Sequence, residues 1–224
     1  MTPGDPFLIA RMALALLERL PARAGGCVVL VSSALPGEGK SFISGLLARE
    51  LAAKLDGEVA LVDAAFGAPL QRAGAWSASS AAAPAGGSAT GDGFAHLLSH
   101  GELPAEALRS TDTPGLTRVP AAAASALAGT SNRALLLFQP PAVRRALQVL
   151  RQRFALTVLD AAALAGCGAL AQEADALVLV VNARRTARHA IEHALAAARV
   201  EPARIAGVVL NRHVPELPHW LGGT

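Results

Sequence analysis

The chain has 224 residues, of which 52% are hydrophobic and 17% charged, with a formal net charge of +3. That is too apolar for a disordered chain and sufficient for one sizeable core. No run approaches the roughly 18 apolar residues that a membrane-spanning helix needs. The start of the chain, with Asp5 ahead of a short apolar stretch and Arg11 within it, lacks the pattern of a secretory signal.

In chain order, residues 1–22 read as an N-terminal helix, its stripe of Phe7, Leu8, Arg11 and Leu14 read as core packing ahead of the alternative, a partner surface. Residues 23–224 read as one domain. Apolar bursts at 27–33, 59–63, 116–119, 155–160, 176–181 and 205–210 have the length of strands, several apolar on both faces as buried parallel strands are. Helical spacing occupies 40–55, 132–153 and 185–200. Residues at about 73–93 are small and polar without a period, the composition of a flexible surface loop. Strands alternating with helices predict a three-layer α/β domain with a mostly parallel sheet flanked by helices.

Directly after the first strand, and opening a helix, stands Ala34-Leu-Pro-Gly-Glu-Gly-Lys-Ser41. It fits the phosphate-loop pattern with Ala34 in place of the first glycine, so the domain reads as a P-loop NTPase. Gly37 and Gly39 let backbone N–H groups turn inward around phosphate oxygens, and the following helix adds its positive end. Lys40 is placed to reach the β- and γ-phosphates and Ser41 to ligate Mg²⁺. Pro36, Gly37, Glu38, Gly39, Lys40, Ser41 and Phe42 are therefore the candidate ATP contacts. The chain has two lysines, Lys40 and Lys54, which argues against an accidental one in this slot. Two acids end apolar strands, Asp63 and Asp160, and are candidate Mg²⁺ ligands and catalytic groups beside Lys40.

Other constellations read as ordinary surface or core. Cys27 and Cys167, far apart in the sequence, suit buried thiols better than a disulfide or a zinc site. His189 and His193 have metal-binding spacing on a helix but no third ligand nearby. Arg184, Arg185 and Arg188 read as a solvated helix start, and no basic stripe with interleaved aromatics points to nucleic acid.

These segments, SSALPGEGKS, LVDAAFGAP, FALTVLDAAAL and IAGVVLNR, run in the order of the bacterial tyrosine kinases of capsule and exopolysaccharide synthesis, within the MinD/ParA-like P-loop ATPases. The chain resembles that family over residues 7–213. The resemblance implies a cytoplasmic Mg-ATP-binding domain working with a membrane adaptor of the polysaccharide co-polymerase type at the inner face of the membrane. It makes Asp160 the Walker B acid and places Asp63 where the family's Asp-x-Asp-x-Arg begins. Asn211 falls at the adenine-reading asparagine of the MinD-like group, or equally is a residue ending a strand.

The departures from the family carry as much meaning. Ala65 and Gly67 replace the second acid and the arginine, Ala161–Ala163 replace Thr-Pro-Pro, and Phe42 replaces a hydroxyl residue. The N-terminal oligomerisation pattern is reduced to at most Arg11, so a homo-oligomer is left open. There is no tyrosine, so tyrosine autophosphorylation of this chain is impossible. Losing one electrostatic contact of phosphoryl transfer costs about 10²–10³ in rate. The expectation is a regulator of chain length and export with weak or absent kinase activity, or else a nucleotide-binding interaction module without turnover. A MinD/ParA-type positioning ATPase ranks lower, because no lysine stands early in the loop near Leu35.

Overall fold

A computed structural model describes residues 6–22, 25–65, 93–121 and 138–212. The strands are β1 (Cys27–Ser33), β2 (Val59–Ala64), β3 (Arg109–Ser110), β4 (Leu116–Val119), β5 (Leu156–Ala161), β6 (Ala176–Asn182) and β7 (Ile205–Asn211). The helices are α1 (Pro6–Arg19), α2 (Lys40–Ala52), α3 (Phe94–His100), α4 (Pro140–Arg153), α5 (Gly168–Glu173) and α6 (Arg188–Ala197). One sheet runs β3-β4-β2-β5-β1-β6-β7, parallel except for the β3–β4 pair. The expected mostly parallel sheet flanked by helices is observed.

Strand alternation divides the core in two. Val28 and Leu30 of β1 face α3 to α6, with Phe94, Leu147 and Leu170. Cys27, Val29 and Val31 face α1 and α2, with Ala13, Leu16, Ile43 and Leu47. Both cysteines are buried free thiols, and burial pushes the Cys167 thiol up to about 11. Among the described residues no helix is long and apolar enough to cross a membrane.

Several expectations need correction. The α1 stripe that packs is Ile9, Ala13 and Leu16, whereas Phe7, Arg11 and Leu14 are exposed. Spacing of four and three residues puts both sets on coherent faces, and burial goes to the one without a charge. Helix α2 ends at Ala52 rather than 55, since Lys54 N–H bonds Leu51 O in a tightened last turn. Helix α6 begins at Arg188 rather than 185, because Asn182 holds the N–H groups of Arg184, Arg185 and Thr186 in a turn. It stops at Ala197, where Arg199 turns left-handed at φ 52°.

Helix α4 opens on Pro140 and Pro141, where a missing N–H costs nothing, and residues 132–137 of that expected helix lie outside the described residues. Of the expected loop, 73–92 also lie outside them, while Gly93 is buried at the start of α3, where a Cβ would meet Pro120 O at 2.0 Å. Helices α3 and α5 and strand β3 were not expected, being six or seven and two residues long, too short to show a period.

Candidate nucleotide site

The site forms where β1, β2, β5, β6 and β7 end, at the carboxyl edge where open α/β sheets bind ligands. Residues 34–39 leave β1 and enter α2 through two left-handed glycines, Gly37 at φ 78° and Gly39 at φ 94°. Left-handed glycines allow successive N–H groups to converge on an anion. Gly39 is doubly constrained, because a Cβ there would fall 2.2 Å from Asn211 Nδ2. No side chain caps the start of α2 and its first turn holds no acid, so the positive end of this 13-residue helix carries no compensating side chain of its own.

Register then brings the acids together. Asp63 of β2 lies directly beside Asp160 of β5, and Asp160 lies beside Val31 of β1. Ser41 hydrogen-bonds the Asp160 carboxylate, and Ser44 Oγ lies 3.3 Å from Asp160 Oδ1 while donating to Lys40 O at 2.9 Å. Burial, with a smaller contribution from the neighbouring Asp63 charge, raises the Asp160 carboxyl to about 6; Ser41, Lys40 and Ser44 pull it down. Asp63 accepts the Ala65 N–H at 3.2 Å. Lys40 Nζ donates to Ser33 Oγ at 3.0 Å, and Ser33 donates to Leu35 O at 2.6 Å, folding the ammonium back over the loop.

Two of the candidate residues are engaged within the protein. Glu38 is buried with both carboxylate oxygens turned into the protein: Oε2 accepts Leu35 N–H at 2.9 Å, and Oε1 accepts Asn182 N–H at 2.9 Å and the Thr186 hydroxyl. These donors, with the Lys40 charge, outweigh burial and hold its carboxyl below the usual range. Asn211 ends β7, and its Nδ2 donates to Glu38 O at 2.8 Å, so its amide is engaged in shaping the loop. Pro36 and Phe42 are both exposed, on the loop and on the first turn of α2.

The motif reading missed Ser33, Ser44, Asn182 and Thr186. Three of them had a signal in the sequence: a serine or asparagine ending an apolar strand, or a serine one helical turn after the loop lysine. His189 and His193 are exposed, and no group of three metal-ligating side chains occurs among the described residues.

A nucleotide with Mg²⁺ suits this donor set. Two carboxylates side by side, one of them disfavoured as an anion by burial and by its neighbour, favour a divalent cation. The uncapped helix start and the left-handed loop favour phosphate.

No protein-family model matches the sequence, and no curated protein matches it. Solved structures do match. The VpsO kinase domain superposes with a TM-score of 0.69 at 25% identity, over 93% of this chain and 96% of its own. The kinase domain of the Escherichia coli tyrosine kinase ETK gives 0.67 at 14%, over 93% and 76%. Cobyrinic acid a,c-diamide synthase from Mycobacterium smegmatis, solved with a bound ATP analog and magnesium, gives 0.58 at 21%, over 83% and 70%. The resemblance to bacterial tyrosine kinase domains read from the sequence is thus met in three dimensions, and the fold is that of the P-loop ATPases.

Proposed function

We propose that this chain, a P-loop domain built like the bacterial tyrosine kinase domains, binds Mg-ATP at the carboxyl edge of its sheet and serves as a regulator rather than an efficient kinase. The observation that carries the reading is the convergence of Lys40, Ser41, Asp63 and Asp160 beneath an uncapped helix start. Loop N–H groups and Lys40 would hold the phosphates, and Ser41, Asp160 and Asp63 would hold the metal. When bound, Mg²⁺ supplies positive charge that offsets the charge of the phosphate oxygens.

Around it, Ser44 steadies Asp160, Ser33 orients Lys40, and Glu38 and Asn211 fix the loop backbone. Ala65, two residues past Asp63, offers no second carboxylate, so hydrolysis is slow. The chain carries no tyrosine to receive phosphate. On the resemblance, the setting we propose is the cytoplasmic face of the membrane, beside a membrane adaptor of the polysaccharide co-polymerase type, in control of exopolysaccharide or capsule chain length and export.

A second reading, a nucleotide-binding interaction module without turnover, is favoured by the same Ala65. Calorimetry of MgATP and MgADP binding to wild type and Lys40→Ala, followed by phosphate release from the same samples, separates the readings. Binding lost in Lys40→Ala with slow release supports the regulatory ATPase. Binding without release supports the non-hydrolysing module, and no binding by wild type overturns both.

A further inference from the structure

The loop between β1 and α2 contains a carboxylate turned into the protein. Glu38 is 2% exposed, and its two oxygens accept three donors from two segments: Leu35 N–H within the loop, and Asn182 N–H and the Thr186 hydroxyl at the end of β6. The turn it reaches is itself wound on one residue. Asn182 accepts the Arg184 N–H on Oδ1 at 3.1 Å, and the Arg185 and Thr186 N–H groups on its carbonyl at 3.1 and 3.0 Å. Arg184 and Arg185 are exposed on that turn.

A buried carboxylate is costly unless its acceptor sites are filled. The loop conformation that satisfies Leu35 and the turn conformation that presents Thr186 therefore stabilise each other through one anion. We propose that Glu38 is a positioning residue that joins the phosphate loop to the β6–α6 turn, so that a change in either segment is felt in the other. Coupling of this kind is reciprocal. Anything that engages Arg184 or Arg185 then alters how well the loop is preformed, and phosphate in the loop stiffens the turn. Only this last step rests on the nucleotide reading; the joint between the segments does not.

Amide hydrogen exchange by NMR on the full chain tests the joint from its far end. Thr186→Val removes one hydroxyl at nearly constant shape, and Leu35 N–H, which does not touch Thr186, is the reporter. Exchange at Leu35 should rise about tenfold, the size of one hydrogen bond to a carboxylate. Thr186→Ser, which keeps the donor, should restore the wild-type rate. Glu38→Gln, which sets an amide against one of these donors, should speed Leu35 exchange further.

In a second arm, saturating MgADP should slow exchange at Arg185 and Thr186 in wild type, and Thr186→Val should abolish that slowing. Unchanged Leu35 exchange in both Thr186→Val and Glu38→Gln overturns the proposal, as does a Thr186→Ser variant that behaves like valine. If wild type binds no MgADP, the nucleotide reading fails while the Leu35 measurement still decides the joint.

Discussion

Two carboxylates sit at opposite edges of the same sheet and are treated in opposite ways. Asp175, just before β6 at the amino edge, accepts Arg151 Nε and a second guanidinium nitrogen, both at 3.0 Å, and the Val28 N–H at 2.8 Å. Its side chain is 5% exposed and that of Arg151 19%. Asp160, near the end of β5 at the carboxyl edge, has serine hydroxyls and a second acid for neighbours, with Lys40 acting on it only through space. An arginine paired bidentately neutralises its acid in place, whereas serine hydroxyls bring Asp160 hydrogen bonds without a neutralising charge in contact. A saturated carboxylate belongs to the architecture, and a buried one left short of positive charge is a candidate for a site.

The comparison breaks most visibly at Asp175. Asp175→Ala leaves the half-buried Arg151 Nε and the Val28 N–H without their acceptor, Nη2 keeping only the Glu173 carbonyl at 2.8 Å, and breaking such a pair typically costs about 3–5 kcal/mol. Urea unfolding should show the midpoint falling accordingly, and a loss well under 1 kcal/mol would mean that Arg151 finds another acceptor. Asp160→Asn should act in the other direction. At pH 7.5 the native state carries a carboxylate that its surroundings disfavour, so its removal should stabilise the ligand-free protein by roughly 1–3 kcal/mol. The same substitution should weaken Mg-nucleotide binding, a trade-off expected where an acid serves a ligand rather than the fold.

The two edges were also unequally legible. The site edge was readable because a phosphate loop needs glycine, lysine and serine at fixed spacing, and because Asp63 and Asp160 interrupt apolar strands. The roles of Glu38 and Asn211 were not readable, since both depend on the ends of β6 and β7 arriving beside the loop from residues 144 and 173 positions away. The amino edge gave no signal at all: Arg151 and Asp175 stand in no motif and meet only through the packing of α4 on the turn before β6. For the fold, the long strands and helices were legible from period, while α3, α5 and β3 were too short to carry one. The α1 stripe failed for another reason. Two stripes share that helix, and the one that packs against α2 differs from the exposed one by lacking the single charge of Arg11, a margin of one residue.

The smallest effects sharpen the comparison most. With the Asp160 carboxyl at about 6 in the folded chain, against an ordinary 3.8, the native state holds a proton that the unfolded chain has released between those values. The contribution of this group to stability is therefore greatest near pH 4, falls as pH rises to 6, and is level above. The difference in melting temperature between ligand-free wild type and Asp160→Asn, followed from pH 4 to pH 8, should show that decline, since Glu38, whose carboxyl is held low and works in the opposite sense, is common to both. Burial is the larger cause of the shift and the Asp63 charge the smaller. Asp63→Asn should accordingly move the pH at which the decline ends downward by only part of the total displacement. A curve unmoved by Asp63→Asn would make burial the whole cause and separate the two acids electrostatically despite their shared register. A decline that vanished altogether would make the pair, rather than burial, what sets this edge apart from Asp175.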